Sequence, residues 1–178
     1  MKDWNTRYAK AGTDGDSRLF GDQPCEYLRA VLARADFSAR SALCLADGDG
    51  RNGGWLAEQG IAVTAVDAST VATDLARAHD TARGVTVERI VDDLAAWSPP
   101  PGRTWDAVFL MYLQCEAAVR LHAARTAAAA LAPGGWFVAE GFAPAGAGGR
   151  SLGPEDPDLL YELTDLLNAL PGLEVMEA

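Results

Sequence analysis

The chain has 178 residues, of which 49% are hydrophobic and 22% charged, and a formal net charge of -10. That length suits one domain with one sizeable core and would cramp a dehydrogenase with a separate substrate domain. The acidic balance argues against a nucleic-acid surface, whose phosphates call for clustered Lys and Arg, and no apolar run approaches the ~20 residues of a membrane span. The opening residues Met1 to Asn5 carry no apolar signal-peptide region, so the expected location is cytoplasmic. Cys25, Cys44 and Cys115 are far apart and odd in number, which forms neither a disulfide framework nor a zinc spacing.

In chain order, the segment up to about Gly21 is polar and dotted with aromatics, and reads as loop. Pro24 to Asp36 reads as an amphipathic helix, with Tyr27, Leu28, Val31 and Leu32 at helical spacing. Ala42 to Ala46 forms a first strand, Asn52 to Gln59 a helix stopped by Gly60, and Ile61 to Val66 a second strand. A helix from Thr70 to Ala82 ends at Gly84, and Val85 to Val91 forms strand three. Trp105 to Leu110 is apolar enough for a strand buried on both faces. An alanine-rich helix spans Glu116 to Leu131, Pro133-Gly-Gly135 makes a tight turn, and Trp136 to Glu140 is strand five. A glycine-rich loop over Ala143 to Gly153, an acidic helix over Asp156 to Leu170 and a short strand over Leu173 to Met176 complete the pattern. The alternation implies an α/β fold: a doubly wound, Rossmann-like parallel sheet in three α/β/α layers, with right-handed crossovers.

The densest information lies at the junction from strand one into its helix. Ala46-Asp-Gly-Asp-Gly-Arg-Asn52 places Gly48 and Gly50 in a sharp turn where a ligand could approach the backbone, and Asp67 ends the next strand, where a carboxylate can accept from a ribose diol. This describes a pocket for an adenosine-containing cofactor. Gly48 to Gly53 also matches G-x-G-x-x-G, so locally a dinucleotide and S-adenosylmethionine (SAM) fit equally well.

With the elements placed, the chain resembles a small class I SAM-dependent methyltransferase, and more narrowly the compact tellurite-resistance and thiopurine branch. The resemblance covers nearly the whole sequence. It is carried by Trp4-Asn-Thr-Arg-Tyr8 with Phe20-Gly21 and Pro24, by Ala46 to Asn52, and by Asp67-Ala-Ser69. Asp92-Asp-Leu94, Leu131-Ala-Pro-Gly-Gly-Trp136, Gly141 to Pro144 and Gly153 to Leu159 continue it. The resemblance implies one methyltransferase domain over 1–178, with 1–36 an N-terminal lid segment and helix and 41–178 the Rossmann-like core. Two departures stand out. Cys44 and Ala46 occupy positions where the family usually has an acid and a glycine, and the antiparallel strand that normally closes the sheet has no counterpart before Ala178.

The resemblance assigns roles residue by residue. Asp67, with Ala68 beside it, would bind the ribose hydroxyls; helix capping is the plainer alternative. Asp93 or Asp92, with Leu94, would read adenine. Ala46, Asp47, Gly48, Gly50, Arg51 and Asn52 would surround the methionine part, with Asp47, Asp49 or a carbonyl replacing the missing acid at Cys44. Trp4, Arg7 and Tyr8 would fold over the cofactor, or else simply pack on the sheet. Met111 would line the pocket, and Tyr112 and Gln114 would face the methyl acceptor. No general base is evident there, which tilts the expected acceptor towards a small soft nucleophile, a thiol or chalcogen anion. The partners expected are therefore a small-molecule acceptor, no metal, no nucleic acid and no membrane, with an open sheet edge through which a homodimer could form. An NAD(P)-dependent oxidoreductase and a non-catalytic SAM-binding domain are the alternatives. Neither lysine follows a tyrosine at the Tyr-x-x-x-Lys spacing of the former.

Overall fold

The computed structural model describes residues 3–13, 18–144 and 153–178. Five strands form one all-parallel sheet: β1 (Ser41–Leu45), β2 (Ala62–Asp67), β3 (Val87–Val91), β4 (Trp105–Met111) and β5 (Leu131–Glu140), in the order β3-β2-β1-β4-β5. The order reverses between β1 and β4. In open α/β sheets ligands bind outside the carboxyl ends of the strands at such a reversal.

Alternate residues of the central strands feed two apolar layers. Ala42 and Cys44 of β1, with Ala107 and Phe109 of β4, pack with Leu28 and Val31 of α2 (Glu26–Leu32) and Leu56 of α3 (Arg51–Glu58). Leu43, Leu45, Val108 and Leu110 point the other way, onto Ala123, Ala124 and Ala127 of α5 (Ala117–Ala129) and onto Ala169 of α6 (Leu163–Ala169). The alanine face of α5 lets that helix approach the sheet closely. α4 (Thr70–Arg83) joins β2 to β3; Ser69 caps it by accepting from Ala72 N–H at 3.0 Å, and Gly84 ends it at φ +69°.

Four expectations are corrected. The N-terminal segment is not all loop, because Trp4–Thr13 forms α1, which docks on the β2–α4 junction through Asn5: its Oδ1 accepts from Ser69 Oγ at 2.7 Å and Val71 N–H at 3.3 Å. The Pro133-Gly-Gly135 turn does not precede strand five but interrupts it. Leu131 pairs with Trp105 and Trp136 with Ala107, so residues 132–135 bulge out opposite Asp106. No strand forms over Leu173 to Met176, where every residue is exposed, and the acidic helix is broken into a 3₁₀ turn over Pro157–Leu159 and α6. Most of the glycine-rich loop, residues 145–152, lies outside the described residues.

A buried ion-pair network holds the β1–α3 turn to the rest of the sheet. Arg89 of β3 donates through Nη1 to Asp47 at 2.9 Å and through Nε and Nη2 to the two oxygens of Asp80, at 2.6 and 2.9 Å. Its side chain is only 3% exposed. Burial pushes Asp47 above the usual carboxylate range, while the guanidinium and the Gly53 N–H, which donates to Oδ1 at 2.9 Å, favour its anion. Breaking a buried pair strands an uncompensated charge, at a cost of about 3–5 kcal/mol. Arg89→Leu, which leaves Asp47 and Asp80 without a cation, is expected to lose about that much in urea unfolding. A loss under ~1 kcal/mol would show the network to be dispensable.

Candidate active site

A cavity of about 1290 Å³ opens at the carboxyl ends of the strands, where the sheet order reverses. It exceeds the ~300–1,000 Å³ of pockets for one small ligand, so it has room for two molecules side by side. Its floor is built from residues that follow β1, β2 and β4. Two of them, Ala46 and Tyr112, hold left-handed backbone conformations at φ +56° and +57°. Such strain in residues that carry a Cβ is uncommon and clusters at functional sites. At Ala46 it also gives the family's usual glycine a physical reason, since only glycine adopts this φ without strain.

Asp67 ends β2 at the cavity wall. Its Oδ2 accepts from Gly48 N–H and its Oδ1 from Ser69 N–H, both at 2.8 Å. Each oxygen keeps a further lone pair, so both can accept again. Burial raises its pKa, against the pull of these two N–H donors. Asp49, 3% exposed, also lines the cavity and is likewise pushed up by burial, with Arg18, His79 and Arg51 acting the other way. Asp47 has both oxygens engaged, by Arg89 and Gly53, which leaves Asp49 the carboxylate with more to offer a ligand.

Of the residues singled out in the sequence, Trp4, Tyr8, Ala46, Asp47, Arg51, Asn52, Asp67, Ala68, Asp93, Leu94, Met111, Tyr112 and Gln114 line this cavity together. Arg7, Gly48, Gly50 and Asp92 do not. The Arg7 guanidinium lies 4.5 Å from the Trp4 ring centre. The expected close approach of ligand to the two glycines is met instead by protein: a Cβ on Gly48 would collide with the Tyr8 hydroxyl, and one on Gly50 with the Arg89 guanidinium. Of the two adjacent acids, Asp93 faces the cavity, while Asp92 accepts from the Asp93 N–H at 2.8 Å. Arg51 ties down the preceding loop by donating to Phe20 O at 2.9 Å and Cys25 Sγ at 3.2 Å. Cys44 is 2% exposed in the core and does not line the cavity.

Two features escaped the sequence reading. Glu140, the last residue of β5, lines the cavity beside Tyr112, and the rule that singled out Asp67 (an acid at the tip of a parallel strand) would have found it. The second is the wall over Pro154 to Leu159. Arg120, buried at 6% exposure, holds it by donating to Asp158 O at 2.8 Å and Leu160 O at 2.6 Å, and also to Cys115 O.

A sequence profile described as a methyltransferase domain matches residues 42–135, more than half of the chain, and the chain belongs to that family. Membership implies SAM as methyl donor. No curated protein matches the sequence. Among solved structures, the PH0226 protein from Pyrococcus horikoshii OT3 is 27% identical over 64% of this chain and 51% of its own, with a TM-score of 0.58. The CcbJ methyltransferase from Streptomyces caelestis is 24% identical over 79% of this chain and 58% of its own (TM-score 0.64). The [4+2]-cyclase SpnF is 21% identical over 88% of this chain and 57% of its own (TM-score 0.67). The chain thus spans between half and three-fifths of the length of these proteins. They share the Rossmann-like class I fold.

The strained turn after β1 yields a test of its own. A left-handed alanine costs about 1–2 kcal/mol, partly offset by glycine's larger loss of chain entropy. Ala46→Gly is therefore expected to raise thermal stability by up to ~1 kcal/mol, and Ala46→Val to lower it. A destabilising glycine would contradict the assigned backbone.

Proposed function

We propose that residues 1–178 act as one SAM-dependent methyltransferase domain, with 1–36 the lid segment and helix and 41–178 the core, and that its acceptor is a small molecule. The single observation that carries this reading is the two-ligand cavity at the sheet reversal, with the Asp67 carboxylate in its wall. In this reading Asp67 accepts from both ribose hydroxyls on its remaining lone pairs, and the backbone around Asp93 and Leu94 meets adenine. Asp49 pairs with the methionine ammonium in place of the acid absent at Cys44. Tyr8 and Trp4, carried on α1, cover the bound cofactor. The assignment to the tellurite-resistance and thiopurine branch rests on the N-terminal aromatic segment and on the order of motifs, and stays part of the proposal.

Bound SAM supplies a methyl group on a sulfonium that is its own leaving group. The protein's task is then alignment and exclusion of water. Leu94, Met111, Leu113 and Phe142 give the cavity apolar wall, while α1 and the Pro154 to Leu159 segment close it on two sides. The preference for a soft thiol or chalcogen acceptor rested on the lack of a base in the sequence. Glu140 in the cavity wall removes that premise.

Calorimetric titration with SAM, S-adenosylhomocysteine and NAD, followed by acceptor screening, tests the reading. Saturable binding of the two adenosyl ligands without NAD is expected. Binding of NAD alone would restore the oxidoreductase alternative, and SAM binding without any methylated product would favour a non-catalytic domain or, since SpnF is a cyclase, another chemistry. Asp67→Asn should weaken SAM roughly tenfold to a hundredfold, the size of a hydrogen bond to a charged group. An unchanged Kd would remove Asp67 from the cofactor site. The shifted carboxylates add a pH dependence. Asp67 and Asp49 bind SAM as anions, and burial raises both above the ordinary 3.8. Affinity should be complete above the raised pKa values and fall as pH drops through them, so weakening sets in at a higher pH than for an exposed aspartate. Constant affinity down to about pH 4 would contradict this.

A further inference from the structure

Tyr112 follows β4 with its backbone in the left-handed region at φ +57°, where a bulky residue is rare. Both of its polar ends are directed to one neighbour. The Tyr112 N–H donates to the Glu140 carbonyl and the hydroxyl to Glu140 Oε1, each at 2.6 Å, while the ring leans on Phe142 with centroids 5.1 Å apart. Burial, then the Glu140 carboxylate, push the phenol well above its usual range, so Tyr112 keeps its proton and acts as a donor. The other carboxylate oxygen, Glu140 Oε2, is covered from solvent and has no hydrogen-bond partner among the described residues. An acceptor in that state is costly unless a donor arrives. Glu140, with Tyr112 and Phe142 beside it, lines the cavity at the end of edge strand β5, which β1 and β4 separate from Asp67 at the end of β2.

The charge of the lining selects what that donor can be. Among the described residues lining the cavity, eleven are Asp or Glu, one of which, Asp47, is already paired with Arg89, and Arg51 is the one cation. Arg51 is already committed to Phe20 O and Cys25 Sγ. Such a concave, one-signed site concentrates cations and repels anions. A thiolate or oxyanion would meet repulsion here. An ammonium would be attracted and would bring the N–H that Glu140 lacks.

Resting on the methyltransferase reading, we propose that Glu140, oriented by Tyr112, is the catalytic carboxylate of the acceptor site, and that the acceptor is a small primary or secondary amine. The amine enters protonated and pairs with Glu140. With one N–H proton released, the nitrogen lone pair forms the new C–N bond as the methyl–sulfur bond breaks, and that bonding pair remains on sulfur. The proton passes through the Glu140 carboxylate to water. Tyr112 positions Glu140 and touches no reacting atom.

The test pairs SAM binding with a matched acceptor panel: benzylamine, N-methylbenzylamine and phenethylamine, against 2-phenylethanol and benzyl mercaptan. Methylated product is read by mass. Calorimetry of each amine on the protein–S-adenosylhomocysteine complex gives a readout independent of turnover. The expected result is methylation of amines alone, with Glu140→Gln lowering kcat/KM and amine affinity at least about a hundredfold while SAM binding stays within about threefold of wild type. Tyr112→Phe should reduce kcat more than it raises KM, since the carboxylate stays but loses its orientation. Methylation of the alcohol or thiol in preference to amines, no product from any amine by protein that binds SAM, or a Glu140→Gln variant as active as wild type would each overturn the proposal. Failure of the wild-type protein to bind SAM would instead bring down the methyltransferase reading on which it rests.

Discussion

The cavity exists because a guanidinium is held out of water between two carboxylates. Arg89 reaches from β3 to Asp47 in the β1–α3 turn and binds Asp80 of α4 through two nitrogens, joining that turn, α4 and β3 at one point. Asp47 passes the constraint on through Gly53 N–H to the start of α3, and Asp67 passes it through Gly48 N–H to the end of β2. The left-handed turn after Ala46 is thereby held from both sides. A buried pair of this kind gives little net stability compared with an apolar substitute, but it is intolerant of partial removal. What it supplies here is a fixed geometry for the floor of the cavity.

That fixed floor is paired with walls of separate origin. α1 is attached through Asn5 to the Ser69 cap and through Tyr8 to the face of Gly48, so the N-terminal cover rests on the same two turns that position Asp67. The opposite wall hangs from Arg120, which gathers carbonyls from 115, 158 and 160, and from Tyr161, whose hydroxyl donates to Leu113 O at 2.8 Å. Both walls combine polar contacts with buried side chains, Tyr8 in the first and Leu160 beside the second.

Much of this was legible before any coordinates, and the limits have physical causes. Strands β1, β2 and β4 are apolar runs bounded by turns, and parallel strands buried on both faces have that signature. The place of Asp67 and Asp93 in the cavity wall could be read because strand ends in such folds face ligands. Glu140 obeys the same rule, yet it was passed over for the residues after strand four. Helix α1 was hidden because it has little apolar stripe; its stability comes from Asn5 and Tyr8 docking on residues some forty to sixty positions away. The same distance effect misled the reading of Gly48 and Gly50, where long-range partners, Tyr8 and Arg89, occupy the space a ligand seemed to need. The strand expected over Leu173 to Met176 had suitable residues, but a strand exists only through its partner, and none of the described strands pairs with it.

The interruption within β5 has a bearing on how the molecule behaves in company. A continuous edge strand of ten residues would offer neighbouring chains an unbroken row of donors and acceptors on which to add a strand. Here the row is fractured. Pro133 has no N–H to give, residues 132–135 leave the plane of the sheet, and regular pairing resumes only at Trp136. The usable template shrinks to the length from Trp136 to Glu140. The proline and two glycines thus work as an insulator along the border of the sheet, lowering its tendency to stick to copies of itself.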